Sequence, residues 1–534
     1  MVRDRVVRGV LSSAALLGVA GVISGCGSSA ASSTSGADPG TVVPAGALLY
    51  VSAVVRPSGA LKTGAVDAAR EITHLSDPFG SLVHALSRTT TSNGTTFDYQ
   101  RDIAPWLGSR VGAFFDATGT SGLSHPVAAL VADSTDATKA MAFIDTSLHQ
   151  DAHGGSVVSR TDHGINYDMI DSGRLAGAIV NGFAVYGTEV GVREVITTAT
   201  GGPALTASST YQSSGIANAP GALGVGYMNF DSLTKIIAAS AGAQAGAGGQ
   251  GSPFPPALSQ IGLHSIGMAL SASRSAIALD LLGSLSKTAS GGQSAAATTV
   301  ATLPGDAWLG LGLGNLGTDA SRILRQFTGA GLGSPLAGAL LSGLDSRLHG
   351  LRIERDILPW LGNSGLFLSG TSLQTLGGAI VIQSKNPAAS KAAVPRIAAA
   401  LRGLRGVTVR PASVPGADAA ISLRLKQLPF PIYVVDGQGR FAIGLGLRAS
   451  EQALHPSSTL ASSALYGAAS AELGPGLKPT LVLSVPAVAA LVLPQLPAKI
   501  AAQVKPYLQA FTVLTLGARH AGTQTATRLA VGLH

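Results

Sequence analysis

The sequence holds one cysteine in 534 residues. That scarcity excludes a disulfide framework, a cysteine-ligated zinc site and an iron–sulfur cluster held by this chain alone. Charge is also sparse: Asp, Glu, Lys and Arg make up 12% of the chain, about half the ~25% usual in soluble domains. Small neutral residues, among them 69 glycines, must therefore cover much of the surface. The chain has no G-x-S-x-G elbow, no Walker A loop and no H-E-x-x-H, so no local motif argues for a hydrolase, a nucleotidase or a zinc protease. Yet 46% of the residues are hydrophobic, which excludes a disordered polymer and requires a packed core. At roughly 150 residues per domain, the length suits three to four ordinary domains or two large ones.

What is present begins at the N-terminus. Arg3, Arg5 and Arg8 precede Val10 to Ile23, fourteen apolar or small residues without a charge. A basic stretch followed by a short apolar run is the pattern of a secretory signal. It is short of the roughly 20 residues a membrane-spanning helix needs. The next residues, Ile23-Ser24-Gly25-Cys26, resemble a bacterial lipobox, and the chain's only cysteine stands at the position that receives lipid. A thiol is the nucleophile such acylation requires, and small neighbours leave the backbone open to the processing enzymes. Residues 1–25 are thus expected to be a signal peptide, with Cys26 lipidated and exposed as the first mature residue. Residues 26–40, rich in Gly, Ser and Ala, read as a tether with a reach of roughly 20 Å.

The rest is written twice. Arg101-Asp102-Ile103-Ala104-Pro105-Trp106-Leu107-Gly108 recurs as Arg355-Asp356-Ile357-Leu358-Pro359-Trp360-Leu361-Gly362, identical at seven of eight positions and offset by 254. Other landmarks keep nearly that offset: Pro44 and Pro304 (260), Phe183 and Phe441 (258), and Tyr211 and Tyr466 (255). The expectation is two homologous tandem domains, 41–283 and 300–534, joined by a linker at 284–299.

Leu48 to Val55, Val111 to Phe115, Val127 to Val131, Ala178 to Val180 and Phe183 to Tyr186 are short β-favouring runs bounded by turn residues. Asn181-Gly182 signals a type I′ hairpin, and Asp436-Gly437 predicts a similar but slightly longer turn in the second half. Asp136 to Leu148 and Pro387 to Leu404 place apolar residues at helical spacing after the candidate caps Ser134 and Asn386. Strands that cluster in hairpins favour an α+β class, each domain a mainly antiparallel sheet with helices packed on it. Residues 241–256 read as a flexible loop, whereas the second half has the apolar, proline-broken Pro486 to Leu508 in that place.

Charge divides the halves. Residues 41–283 carry twelve basic and seventeen acidic side chains, whereas 300–534 carry twenty and nine, or −5 against +11. Opposite charge favours docking of one half on the other. Alternatively the basic half, with Arg396, Arg402, Arg405, Arg410, Arg424 and Lys426 close in sequence, leans on anionic lipid or wall polymer. Nucleic acid is not expected, because the basic residues lack interleaved aromatics.

Among candidate sites, the repeated octapeptide (Arg101, Asp102, Pro105, Trp106 and Gly108; Arg355, Asp356, Pro359, Trp360 and Gly362) is the motif both halves share. Its residues suit a buried tryptophan anchor with a turn and a charged rim, or else a repeated recognition element. His149, Asp151, His153, Asp162 and His163 lie close in sequence, with His149 and His153 at a spacing that can share a metal. Gly154-Gly155 ends any helix there, and a solvated loop is the simpler reading. Gly312-Leu313-Gly314-Asn315-Leu316-Gly317 spells the dinucleotide fingerprint, but the matching stretch of the first half lacks the glycines. No metal, cofactor or catalytic residue is assigned.

The lipobox, the strand after Pro44, the repeated Asp-Ile-x-Pro-Trp-Leu-Gly and the Phe183-Ala184-Val185-Tyr186-Gly187 run together resemble an actinobacterial-type lipoprotein family with a duplicated domain of unknown function. The resemblance implies a cell-envelope location, outside the plasma membrane, and brings no catalytic residues. The leading expectation is a lipid-anchored, non-enzymatic binding or scaffolding protein. A lipid carrier is the alternative, with the apolar Leu481 to Phe511 segment lining an acyl cavity. A secreted hydrolase ranks third.

Overall fold

The computed structural model describes residues 36–78, 81, 98–117, 127–216, 219, 221–234, 263–285, 292–317, 352–372, 374–402, 406–426, 428, 430–521 and 523–534. Cys26 with its signal and most of the tether, the loop at 241–256, and Arg405 lie outside them. The chain divides into two compact units, Met1–Ala289 with Ala521–Ala526 and Ser290–His520 with Thr527–His534.

Among the described residues up to 289 the strands are β1 (Leu49–Val54), β2 (Leu107–Asp116), β3 (Val127–Ser134), β4 (Val157–Asp162), β5 (Ile165–Ile170), β6 (Ala176–Val180), β7 (Phe183–Gly187), β8 (Gly224–Asn229), β9 (Leu263–Ala272) and β10 (Ala276–Leu285). They pair antiparallel in the order β4-β5-β6-β7-β3-β2-β1-β8-β9-β10. Later in the chain come β11 (Ala307–Asn315), β12 (Leu361–Ser369), β13 (Gly377–Ser384), β14 (Val407–Pro411), β15 (Ala419–Leu425), β16 (Ile432–Gly437), β17 (Arg440–Leu445), β18 (Lys478–Ser484), β19 (Phe511–Ala521) and β20 (Gln524–Leu533). Their order is β14-β15-β16-β17-β13-β12-β11-β18-β19-β20, the same permutation, antiparallel throughout the described registers. The class is α+β, built on extensive antiparallel sheet.

Helices cover parts of these sheets. Helix Ala137–Asp151 buries Ala140, Ile144 and Leu148, one face at four-residue spacing, against β5, β6 and β7. Its cap is Asp136, whose carboxylate accepts the Lys139 N–H at 3.1 Å, rather than the expected Ser134, which ends β3. Helix Pro387–Arg402 begins as expected, with Asn386 Oδ1 accepting from the Ala389 N–H at 3.1 Å. Helix Glu189–Ala199 turns Val192, Val195 and Ile196 onto the opposite face of the first sheet. The hairpin at Asn181-Gly182 has positive φ at both residues, 48° and 84°, as a type I′ turn needs. In the second unit the equivalent turn is Gln438-Gly439, φ 56° and 71°. Asp436-Gly437 instead ends β16, and the loop is no longer than its counterpart.

The stretch expected to be a linker also differs. Residues up to Leu285 finish β10, and Gly292–Ala301 form a helix whose Val300 is fully buried. Among the described residues, core side chains gather in two clusters in each unit. In the first, one surrounds Tyr50, Tyr211 and Tyr227, whose rings meet edge to face at 6.3 and 5.1 Å. Burial pushes the Tyr211 phenol up to about 12. The other lies beneath helix Ala137–Asp151 and includes Trp106. The second unit repeats the arrangement around Phe367 and around Trp360. Each fully buried large apolar side chain contributes roughly 1.5–3 kcal/mol.

Candidate functional site

The repeated octapeptide forms the same construction in each unit. Tyr99–Ile103 and Ile353–Ile357 are single wide helical turns leading into β2 and β12. Asp102 Oδ2 accepts from the Asp98 N–H at 2.9 Å, and Asp356 Oδ2 accepts from the Arg352 N–H at 2.9 Å. The indoles are buried, Trp106 beside Phe143 at 5.4 Å and Trp360 beside Phe441 at 4.9 Å. Gly108 and Gly362 permit close strand approach: a Cβ there would lie 2.3 Å from Asp133 Oδ2 and 2.4 Å from the Gln383 carbonyl oxygen. Pro105 and Pro359 are exposed at the turn. Arg101 reaches Asp102 at 2.7 Å and Arg355 reaches Asp356 at 3.1 Å, and these bonds hold both carboxyls below the usual range. The motif's polar groups are thus engaged in holding the turn, and its geometry is that of an anchor.

The other candidates stay apart. His149 bonds Asp145, Asp151 accepts from the Tyr186 hydroxyl at 2.6 Å, and Asp162 is held by Arg193 and His163. His153 follows its helix with φ 49°, in the left-handed region that closes it. Among the described residues no group of three or more His, Cys, Asp or Glu converges. His264 lies 3.0 Å from Asp231, both half-exposed, and its described hydrogen bonds go to that carboxylate alone. Gly312 and Gly314 lie within β11 rather than at a strand-to-helix turn. A Cβ at Gly312 would meet the Ala296 carbonyl at 2.1 Å, so this glycine admits helix Gly292–Ala301, while Gly314, with φ 64°, sits at a register shift. Of the basic stretch, Arg396 pairs with Asp356 at 3.4 Å, and Arg410 and Arg424 are exposed on β14 and β15.

The segment expected to line an acyl cavity does something else. Val485–Val492 and Ala498–Gln509 are helices joined by a turn at Leu493–Gln495, and none of the three contains a buried residue. An apolar concavity of about 250 Å³ lies instead on the first sheet. Cross-strand register explains it. One row runs Leu130, Ala113, Val51, Gly226, Met268, Leu281 across β3, β2, β1, β8, β9 and β10. The next runs Val111, Ala53, Gly224, Leu270, Leu279. Ala113 and Gly226 in the first row and Ala53 and Gly224 in the second are small, with larger residues towards the ends and Val51 standing alone between them, so the face is dished around Val51. Neither row holds a charge. Val51 is 40% exposed, Leu270 36% and Leu281 38%. In the second unit the equivalent row is Ile443, Ile380, Leu366, Leu311, Leu481, Leu516, large throughout.

A profile of proteins of unknown function, DUF3352, matches residues 6–528. The chain belongs to the DUF3352 family. Among curated proteins none matches the sequence. Two crystal structures of TP0453, forms III and I, are similar at 14% identity, covering 47% and 48% of this chain and 81% and 82% of theirs, each with a TM-score of 0.25.

The dished face of this DUF3352 chain escapes sequence inspection. Its signal is faint: β1 (LYVSAV) is apolar or small on both faces, and β8 alternates Gly224 and Gly226 with larger residues. Glycine inside a strand marks a site of close approach or an open surface, and only the pairing register says which residues share the gap.

Proposed function

We propose that the chain is an extracytoplasmic lipoprotein of actinobacterial type, anchored in the cell membrane by acylated Cys26, that binds an apolar ligand rather than catalysing a reaction. The dished, uncharged face centred on Val51 and Gly226 carries the binding part of this reading. Water leaves such a surface favourably when an apolar group covers it, at roughly 25 cal/mol per Å². Two acyl chains at Cys26 suffice for a stable anchor, since each buried CH₂ contributes ~0.8 kcal/mol.

The body is read as two homologous tandem domains. The repeated strand permutation supports this, as does a recurring pair of isolated bridges, Pro44 with Ala204 and Pro304 with Thr459. So do matched hydrogen bonds at 2.7 Å, Leu205 N–H to Val43 and Leu460 N–H to Leu303.

A lipid carrier is the second reading, favoured by the same concavity if its occupant is an acyl chain. Mass spectrometry of the protein after mild extraction tests both. Retained lipid or another apolar molecule, lost when Val51 and Leu270 become Asp, supports binding at this face, and retained lipid identifies a carrier. A body that releases nothing and takes up no apolar probe overturns them. Cell fractionation of Cys26→Ala with globomycin treatment tests the anchor separately. Unchanged membrane retention and processing would sink that part.

A further inference from the structure

Helices Val485–Val492 and Ala498–Gln509 are unusual in this molecule, being apolar without burying anything. Val492 is 43% exposed, Ile500 45% and Tyr507 52%. On the second helix, at about 100° per residue, Tyr507, Ile500 and Val504 fall within a narrow arc, and Lys499 and Lys505 lie on either flank. Both lysines are exposed. From residue 473 to 534 the chain has no acidic side chain, against Lys478, Lys499, Lys505, Arg519 and Arg528. A protein partner of ordinary composition gives no reason for such exclusion of anions. A surface of phosphates over hydrocarbon does: it rewards an apolar edge flanked by cations, with a tyrosine at the boundary.

We propose that this helical pair seats on an anionic bilayer, Val492, Ile500 and Tyr507 entering the acyl boundary and Lys499 and Lys505 resting among the headgroup phosphates. This rests on the envelope-anchored reading only for the presence of a membrane nearby. It assigns lipid contact to the helical pair rather than to the Arg396–Lys426 stretch. No described helix is long and apolar enough to cross a membrane, so the contact is interfacial.

The solitary cysteine makes the test clean. In full-length Cys26→Ala protein, Ile500→Cys and, as a control on helix Pro387–Arg402, exposed Ala399→Cys each give a single site for an environment-sensitive fluorophore. Vesicles of equal parts phosphatidylglycerol and phosphatidylcholine should blue-shift the label at 500, with quenching by lipid-borne quenchers, and leave that at 399 unchanged. Adding Lys499→Glu and Lys505→Glu should weaken the response about tenfold or more, since each cation at such a surface is worth about 1 kcal/mol. No shift at 500, the same shift at both sites, or indifference to charge reversal would overturn the proposal. Because the vesicles are supplied, a negative result here stands apart from any failure of lipidation at Cys26 or of ligand binding on the first sheet.

Discussion

Trp106 and Asp102 hold one another through the backbone: the indole Nε1–H donates to the Asp102 carbonyl at 2.8 Å while the Trp106 carbonyl accepts from the Thr135 N–H at 2.8 Å. Trp360 makes the same pair of bonds, to Asp356 and from Lys385, at the same lengths. One side chain thereby ties an entry turn, a core and the end of the neighbouring strand. Trp106→Ala and Trp360→Ala should each cost ~3–5 kcal/mol of their own unit's stability. Trp106→Phe, which retains most of the packing and loses the bond, should cost about 1 kcal/mol. Denaturant titration followed by hydrogen exchange in each unit measures both.

The carboxyls beside these tryptophans predict an acid limb. Asp102 and Asp356 are held below the usual range, first by their arginine hydrogen bonds. The unfolded chain takes up these protons near pH 4, and the folded one only at lower pH. Their contribution is therefore present above that point and is lost as pH falls through the folded values. The thermal midpoint should drop as pH falls below about 4, and Asp102→Asn with Asp356→Asn should flatten that slope.

Asp436 predicts the opposite slope. It is 3% exposed, its Oδ2 has no hydrogen-bond partner, and burial raises its carboxyl above the usual range, aided by nearby Asp418. Stability linked to this group is fully present below the unfolded value near pH 4 and is lost as pH rises through the folded one. Asp436→Asn should therefore raise the melting temperature at pH 7 more than at pH 3. Equal effects at both would contradict it.

Filling the dish should silence it. A Cβ at Gly226 would be crowded by the movable end of Met268, 2.8 Å away, and would make ordinary contacts with Met268 Cβ and Val51 at 3.6 and 3.9 Å, so Gly226→Leu can be accommodated by the thioether swinging aside. The expected outcome is an unchanged circular dichroism spectrum with fluorescence of an apolar dye reduced several-fold at saturation.

Much of this architecture is legible in the residues, and the misreadings have physical causes. Asn181-Gly182 announces its hairpin because both residues tolerate positive φ, whereas Asp436-Gly437 carries the same signature on a strand and the turn falls to Gln438, a residue with no such preference. Helix Gly292–Ala301 has the composition of a tether, yet it folds because Ala296 and Gly312 are both small enough to let backbone approach backbone. Ser134, the cap the sequence suggests, is claimed by the strand, and the capping role falls to Asp136 two residues on. Of the candidate site, the octapeptide is visible and its anchoring role follows from tryptophan's bulk. The dished face is not, since a strand apolar on both sides does not say that one side is left open.

Residues Gln524–Leu533 form β20 beside β19, with Ala530 and Leu533 buried. A nonsense mutation upstream of residue 524 would strip these side chains from the core and leave β19 without that neighbour, an open edge ready to pair with another chain. Such a shortened product should aggregate or be degraded rather than survive as a slightly smaller protein.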